Sequence, residues 1–459
     1  MTVNEKAIFI VGNRDDKSRI AQVESALNPF DGESICDQSL RDSVVLPITL
    51  RESIRFNYTY SEILEIATRF TGNTENDIQR VMRYALVYSG LTPENNDAVY
   101  RSISLDKGYS VNTRLPRFTA SITNKRLSIR CVPPIYDKVQ KEYTPFSLSW
   151  RRGALHIECN GTSIFPNINK YFLGTGTAKV LSYLTSRGNS GTYNLTGNPI
   201  QRCTHECRMC CRGFYDMTSS RKMSLINMLP DEFAKYLYME YAYLGFENIS
   251  EIAFVTGLFE NVHVLFDYAK NFLRELNMLS KGKFNPILNA HQRLKISSCL
   301  IRDSKAMKEF QAIGVKRFMH TIEALDTTSR FDLLKVYKES ASDVTKGKST
   351  VNDEMAILLA AADVFGFGNV EPVLIIGLDV YDKTRGWICE LHNQGFKILT
   401  RSMFNVYNTN QFEYYRMQLE EIICLSELIR KLFVSGHRSF IGADVMYGQT
   451  HVSANGEVS

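Results

Sequence analysis

Long hydrophobic runs are absent from this chain. The apolar stretch near the N-terminus, Ala7 to Val11, has only five residues, too few for the core of a secretory signal. No run reaches the roughly 20 residues that a membrane-spanning helix needs. The expectation is a cytoplasmic protein with no membrane partner. Dense blocks of one charge are lacking too: 54 Lys and Arg face 49 Asp and Glu, and a net charge of +5 spread over 459 residues does not indicate nucleic acid as a partner. Cysteine is sparse outside one stretch. Cys36, Cys131, Cys159, Cys299, Cys389 and Cys424 stand alone, and in a reducing compartment each reads as a small buried apolar residue, not part of a disulfide framework. Two nucleotide-binding signatures are incomplete. The apolar run ending in Val11-Gly12-Asn13 has no G-x-G-x-x-G, and Lys346-Gly347-Lys348-Ser349-Thr350 lacks the first glycine of a phosphate loop because position 342 is serine. The first reads as a packed strand and the second as a solvated loop.

What is present is an ordinary globular composition, 44% hydrophobic and 22% charged, in a chain long enough for two or three domains. Residues 1–185 read as an accessory domain of mixed α and β character. Tyr60 to Phe70 and Asn76 to Tyr88 carry apolar residues at helical spacing, with Ser61 and Asn76 as N-caps, and predict a helix pair. From Phe118 to about Asn160 short alternating runs, Leu127 to Val132 and Ala154 to Cys159, are broken by Pro133-Pro134, Arg151-Arg152-Gly153 and Asn160-Gly161, as in a small antiparallel sheet. The turn-rich stretch Ser182 to Asn198 marks the boundary. Residues 186–410 then alternate. Helices are predicted at Asp231 to Leu244, Val264 to Leu276, Ser304 to Ile313 and Val351 to Phe365; strands at Glu251 to Gly257, Leu294 to Cys299, Val315 to Ile322, Val370 to Ile376 and Ile398 to Val406. Repeated βα units of this length mean an α/β fold with a parallel sheet, either a barrel or a doubly wound sheet. Residues 411–459 add an amphipathic helix from Gln411 to Phe433 and a tail.

The densest chemistry lies at Cys203-Thr204-His205-Glu206-Cys207-Arg208-Met209-Cys210-Cys211. Three thiols in a C-x3-C-x2-C array suit a loop closing on a metal cluster, and three thiolates on a cubane leave one iron open for another ligand. Zinc is the alternative, with His205 or Cys211 as fourth ligand. The array resembles the signature of the radical S-adenosylmethionine (radical SAM) superfamily, with Cys203, Cys207 and Cys210 at the ligand positions, Cys211 extra, and Met209 where an aromatic residue is frequent. That resemblance implies a partial (β/α)6 barrel behind the N-terminal domain, a [4Fe-4S] cluster whose open iron chelates the amine and carboxylate of S-adenosyl-L-methionine, and an external electron donor such as flavodoxin or ferredoxin. It also implies SAM contacts at the carboxyl ends of the strands. Thr256, Gly257 and Glu260 match the segment that holds the methionine amine, although their order departs from the usual one. Glu323, in Glu323-Ala324-Leu325-Asp326, matches an acid that binds ribose hydroxyls or the amine. Ile376 and Gly377 match the segment that lies along adenine, without its first glycine.

Absences narrow the reaction. After the cluster motif only Cys299, Cys389 and Cys424 follow, far apart, so the second cysteine group of a peptide maturase is missing. The compact N-terminal three-cysteine pattern of a methylthiolating enzyme and the D-x-H-x-x-G of a cobalamin domain are missing as well. The expectation is a single-cluster enzyme abstracting hydrogen from a small molecule such as a sugar, nucleoside or amino-acid intermediate. The alternatives are a peptide- or protein-modifying radical enzyme and a non-enzymatic zinc-binding protein. Tyr381, Tyr407, Cys389 and His320 are candidate hydrogen or proton donors, each also readable as a packing residue.

Overall fold

The fold is described from a computed structural model, which describes residues 8–9, 46–47, 59–71, 78, 81–82, 84–86, 92–93, 117–123, 128–131, 145–151, 154–168, 170–174, 182–187, 192–200, 228–255, 259–325, 349–376, 379–403, 417 and 419–433. The chain divides into two compact units. One comprises Met1–Gly174, Ile375–Gly395 and Met403–Ser435; the other comprises Thr175–Leu374, Phe396–Ser402 and Gly436–Ser459. No helix among the described residues is long and apolar enough to cross a membrane.

In the first unit short strands β1 (Ile8–Phe9) and β2 (Leu46–Pro47) pair, and helix α1 covers Tyr60–Thr71. Of the second predicted helix, the described positions 78, 81–82 and 84–86 are helical. Strands β3 (Thr92–Pro93), β4 (Arg117–Thr123), β5 (Ser128–Cys131), β6 (Phe146–Arg151), β7 (Ala154–Cys159), β8 (Thr162–Ile168) and β9 (Lys170–Gly174) form two sheets, β3-β6-β7-β8 and β5-β4-β9, not the single one expected. The break foreseen at Asn160-Gly161 is the β7–β8 hairpin turn. Both residues have positive φ (47° and 80°), which a two-residue turn matched to the strand twist requires.

The second unit is built on one sheet with the order β10-β11-β12-β13-β14-β15-β16. Its strands are β10 (Ser182–Arg187), β11 (Tyr193–Gly197), β12 (Ile249–Phe254), β13 (Arg293–Ser297), β14 (Val315–Glu323), β15 (Val370–Ile376) and β16 (Thr400–Met403). Strands β11 to β15 pair in parallel, each with the next in sequence. Helix α2 (Pro230–Tyr241) follows β11, α3 (Val262–Leu279) follows β12, α4 (Ser304–Ala312) follows β13 and α5 (Val351–Phe365) follows β14; in chain order α6 (Tyr381–Asn393) follows β15 and α7 (Leu419–Leu432) follows β16, both counted with the first unit. A doubly wound sheet reverses its strand order at a switch point. Here the order never reverses. Six strands taken in sequence, each followed by a helix, are the winding of a partial (β/α)6 barrel, and the fold class is α/β.

Two expectations need correction. The stretch Ser182 to Asn198, where the boundary was placed, contains strands: β10 and β11 form an antiparallel pair that extends the sheet edge, and Ser182 is tied to Tyr236 and Tyr241 of α2 through hydroxyl contacts of 3.1 and 3.0 Å. Helix α7 was expected to be amphipathic, yet its polar positions Glu421, Ser426 and Glu427 are as buried as its apolar ones. It packs against α6 and α1, and Arg430 Nε donates to Glu427 at 2.8 Å.

Local chemistry explains the helix starts. Thr350 caps α5, accepting from Asp353 N–H at 3.2 Å while the Asp353 carboxylate accepts from Thr350 N–H at 2.7 Å. The phosphate-loop mimic thus ends as a helix cap. Asn261 caps α3, accepting from His263 and Val264 N–H at 3.0 Å each, and Asp303 caps α4, accepting from Ala306 N–H at 2.9 Å.

Candidate functional site at the carboxyl ends of the strands

The cysteine motif lies in residues 201–227, outside the described residues, but both ends of its loop are in place. Strand β11 ends at Gly197, whose carbonyl accepts from Val255 N–H at 3.0 Å at the end of β12. Two residues on, the Pro199 carbonyl accepts from Met228 N–H at 3.1 Å. Pro199 and Met228, which flank the segment, thus meet at the carboxyl edge of the sheet. The Met228 end is held a second time, because Tyr268 of α3 donates its hydroxyl to the Met228 carbonyl at 2.9 Å, and α2 begins at once with Pro230. Gly197 also needs to be glycine: a Cβ there would stand 2.7 Å from Cζ of Phe233.

The other expected contacts fall along the same carboxyl ends or outside the described residues. Cys203, Cys207, Cys210, Thr256, Gly257, Gly377 and Tyr407 lie outside them. Glu260 is exposed and stands immediately before the α3 cap. Glu323 is the last residue of β14, half-buried, at φ 65°, beside a register shift between Thr321 and Glu323. Left-handed backbone costs a non-glycine residue about 1 kcal/mol, and a bulge at a strand end re-aims the side chain that follows it. Ile376 is fully buried at the end of β15. Alternation from Glu371 puts Val373 and half-exposed Ile375 on one face and Ile376 on the other, so the side chain that shares a face with the strand interior is Ile375. His320 is buried against Glu354 of α5, which also accepts from Ser349 and lies 3.7 Å from Arg302. Cys389 is buried in α6, and Tyr381 begins that helix, its hydroxyl pushed well up by burial and by neighbouring Cys424. Cys159, Cys299, Cys389 and Cys424 are all buried without disulfides.

The two faces of the sheet are chemically distinct. Phe254 of β12 packs its ring on Phe233 of α2 and on Phe272 and Tyr268 of α3, with centroids 6.1, 5.0 and 6.2 Å apart, and Phe318 of β14 stacks on Phe365 of α5 at 6.1 Å. This is the helix-covered face. The opposite, inner face carries a band of charge across the four neighbouring strands β12 to β15 that was not foreseen from the sequence. Glu251 of β12 accepts from Arg293 Nε of β13 at 2.6 Å and from Arg317 Nη1 of β14 at 3.2 Å, and Lys295 Nζ of β13 lies 3.5 Å from its other oxygen. Lys295 also donates to Glu371 of β15 at 3.1 Å, and the Thr400 hydroxyl of β16 donates to the second Glu371 oxygen. Burial alone would raise the Glu251 pKa; Lys295, Arg317 and Arg293 outweigh it and hold the group down at about 2. Against the same burial, Lys295 and Arg317 lower the pKa of Glu371, and Glu371 and Glu251 raise that of Lys295. The available signal was charge inside strands at every second position, as at Arg293 and Lys295.

No family model matches the chain, and no curated protein matches it. Among solved structures, the chain is similar to HydG, a maturase of the [FeFe]-hydrogenase, at 13% identity and a TM-score of 0.36, over 50% of this chain and 47% of that one. It is similar to methylornithine synthase at 12% identity and a TM-score of 0.37, over 55% of this chain and 68% of that one. Coproporphyrinogen III oxidase from Escherichia coli, a radical SAM enzyme, matches at 13% identity and a TM-score of 0.33, over 53% of this chain and 52% of that one. The chain thus spans about half the length of HydG. At these scores the fold assignment rests on the strand order above and not on the likeness.

Proposed function

We propose that the chain is a radical SAM enzyme acting on a small molecule, with Cys203, Cys207 and Cys210 holding a [4Fe-4S] cluster and S-adenosyl-L-methionine on its open iron. The observation that supports this reading is the Pro199–Met228 hydrogen bond, which brings the two residues flanking the cysteine segment together at the carboxyl edge of an in-order βα sheet, where barrel folds place their reactive groups. The donor set fits: three thiols within one tightly based loop are one short of saturating a cubane. When bound and reduced by an external donor such as flavodoxin or ferredoxin, the cluster and SAM supply the radical that abstracts hydrogen from the substrate.

The remaining residues act by position. Thr256, Gly257 and Glu260, after β12, receive the methionine end. Glu323 accepts hydrogen bonds from ribose hydroxyls, and its retention on left-handed backbone, where glycine costs less, supports a role for its carboxylate. At the end of β15, Gly377 lets the backbone approach adenine, and the side chain alongside is Ile375, with Ile376 contributing through its backbone. Residues 1–185 serve as the accessory domain that shapes substrate access, and residues 411–459 complete the C-terminal end.

The test is anaerobic. The protein is reconstituted with iron and sulfide, reduced with dithionite, and assayed for 5'-deoxyadenosine and methionine beside Cys207→Ala. The expected result is product from the native protein alone, with a SAM-dependent change in the electron paramagnetic resonance signal of the reduced cluster. Zinc without sulfide, or a full cluster whose signal ignores SAM, would overturn the reading.

A further inference from the structure

Among the described residues of the inner-face band, Arg293, Lys295 and Arg317 bring three positive charges to the two carboxylates Glu251 and Glu371. The arithmetic leaves one cation in excess. Arg317 is the most enclosed of the three, its side chain 6% exposed, and its Nε has no hydrogen-bond partner among the described residues. A buried charge without its counter-charge is costly unless something supplies one. Glu323, the next carboxylate along β14, is six residues on, about 20 Å of extended strand away and too far to serve. Between the band and the carboxyl edge, the same face carries uncharged side chains: Ala253 on β12, Ser297 on β13, buried Met319 and then Thr321 on β14, and Val373 on β15. Ser297 and Thr321 are partly exposed, and the Lys295 side chain beneath Ser297 is 14% exposed. The face is therefore cationic at depth and uncharged above it, as far as Glu323 at the end of β14.

We propose that this excess charge selects the substrate: an anionic oxo group, a carboxylate or a phosphate, is held by Arg317 and Lys295 on the inner face, with the uncharged body of the molecule directed to the carboxyl edge. The inference rests on the radical SAM reading for what happens at that edge, and on the ion-pair geometry alone for the anion. Binding adds the missing negative charge. Arg317→Met would remove the excess instead, leaving Arg293 and Lys295 matched to Glu251 and Glu371.

The experiment measures thermal unfolding of the full chain in chloride, malonate and inorganic phosphate at equal ionic strength, for the native protein, Arg317→Lys and Arg317→Met. The native protein is expected to show a saturable rise in midpoint, about 2 °C at ten times the dissociation constant, with malonate if the group is a carboxylate and with phosphate if it is a phosphate. Arg317→Lys retains the rise. Arg317→Met loses it while melting in chloride no lower than the native protein. No saturable rise in the native protein, an equal rise in Arg317→Met, or an Arg317→Met protein that melts far below the native one in chloride would each overturn the proposal. So would loss of the rise on adding SAM, since the site would then belong to the SAM carboxylate. The readout needs no SAM cleavage, so failure of the anion response and failure of the cleavage assay are separate results.

Discussion

The helix-covered and inner faces of one sheet solve burial in opposite ways. On the covered face Phe254, Phe233 and Phe272 remove large apolar areas from water and need nothing in return but close packing. On the inner face Glu251 and Glu371 are equally enclosed, yet every one of their contacts repays a desolvation cost before it stabilises anything. The difference teaches which face holds the fold and which is kept for something else. A structural interior would do as well or better with leucines in place of the band.

Three changes test that contrast. Phe272→Ala should lower stability most, by about 4 kcal/mol, and by the same amount at every pH where the protein folds, measured by denaturant unfolding. Glu251→Gln should cost about 3 kcal/mol near neutrality, because three cations lose their shared partner. Its effect is pH-dependent. The folded pKa of Glu251 lies near 2 and below the ordinary 4.5, so its contribution is fully present above 4.5 and is lost as pH falls towards 2. Native and Glu251→Gln proteins should therefore converge in stability as pH falls through that window, while the Phe272→Ala gap persists. An acid-insensitive Glu251→Gln gap would mean that its cost is packing and not charge. Glu323→Gly should have the smallest effect on stability, a gain of up to about 1 kcal/mol from relief of the left-handed backbone. It should nevertheless abolish or sharply weaken SAM binding, read by the cluster's magnetic resonance signal. Unchanged SAM binding would remove Glu323 from the proposed site.

Much of the barrel was legible in sequence. The α5 span, Val351 to Phe365, follows from a capping box and an apolar period, and strands β12 to β15 follow from short apolar runs between helices. Helix α6 was not legible. It has Gly386 in its interior, β-branched Thr384 and Ile388, and no side-chain cap at Val380, so its helicity comes from what it packs against, including α7 through the His392 and Phe433 rings. Of the proposed site, the thiol array, the acid at Glu323 and the glycines after the strands are visible in the sequence as residue types. That Ile375 shares a face with the ion-paired Glu371 while Ile376 takes the other follows from strand alternation, which the register of β15 fixes.

By itself the sequence determined the alternation of strands and helices and the C-x3-C-x2-C spacing, because both are local: periodicity and spacing are properties of neighbouring residues. Tertiary structure alone decided three things. The winding became a barrel because no strand order reverses; Pro199 and Met228, far apart in the chain, were brought together by a hydrogen bond at the carboxyl edge; and four strands pooled their charges across the inner face. Each depends on contacts between residues separated by tens of positions, whose pairing is set when the sheet assembles and the buried groups find, or fail to find, their counter-charges.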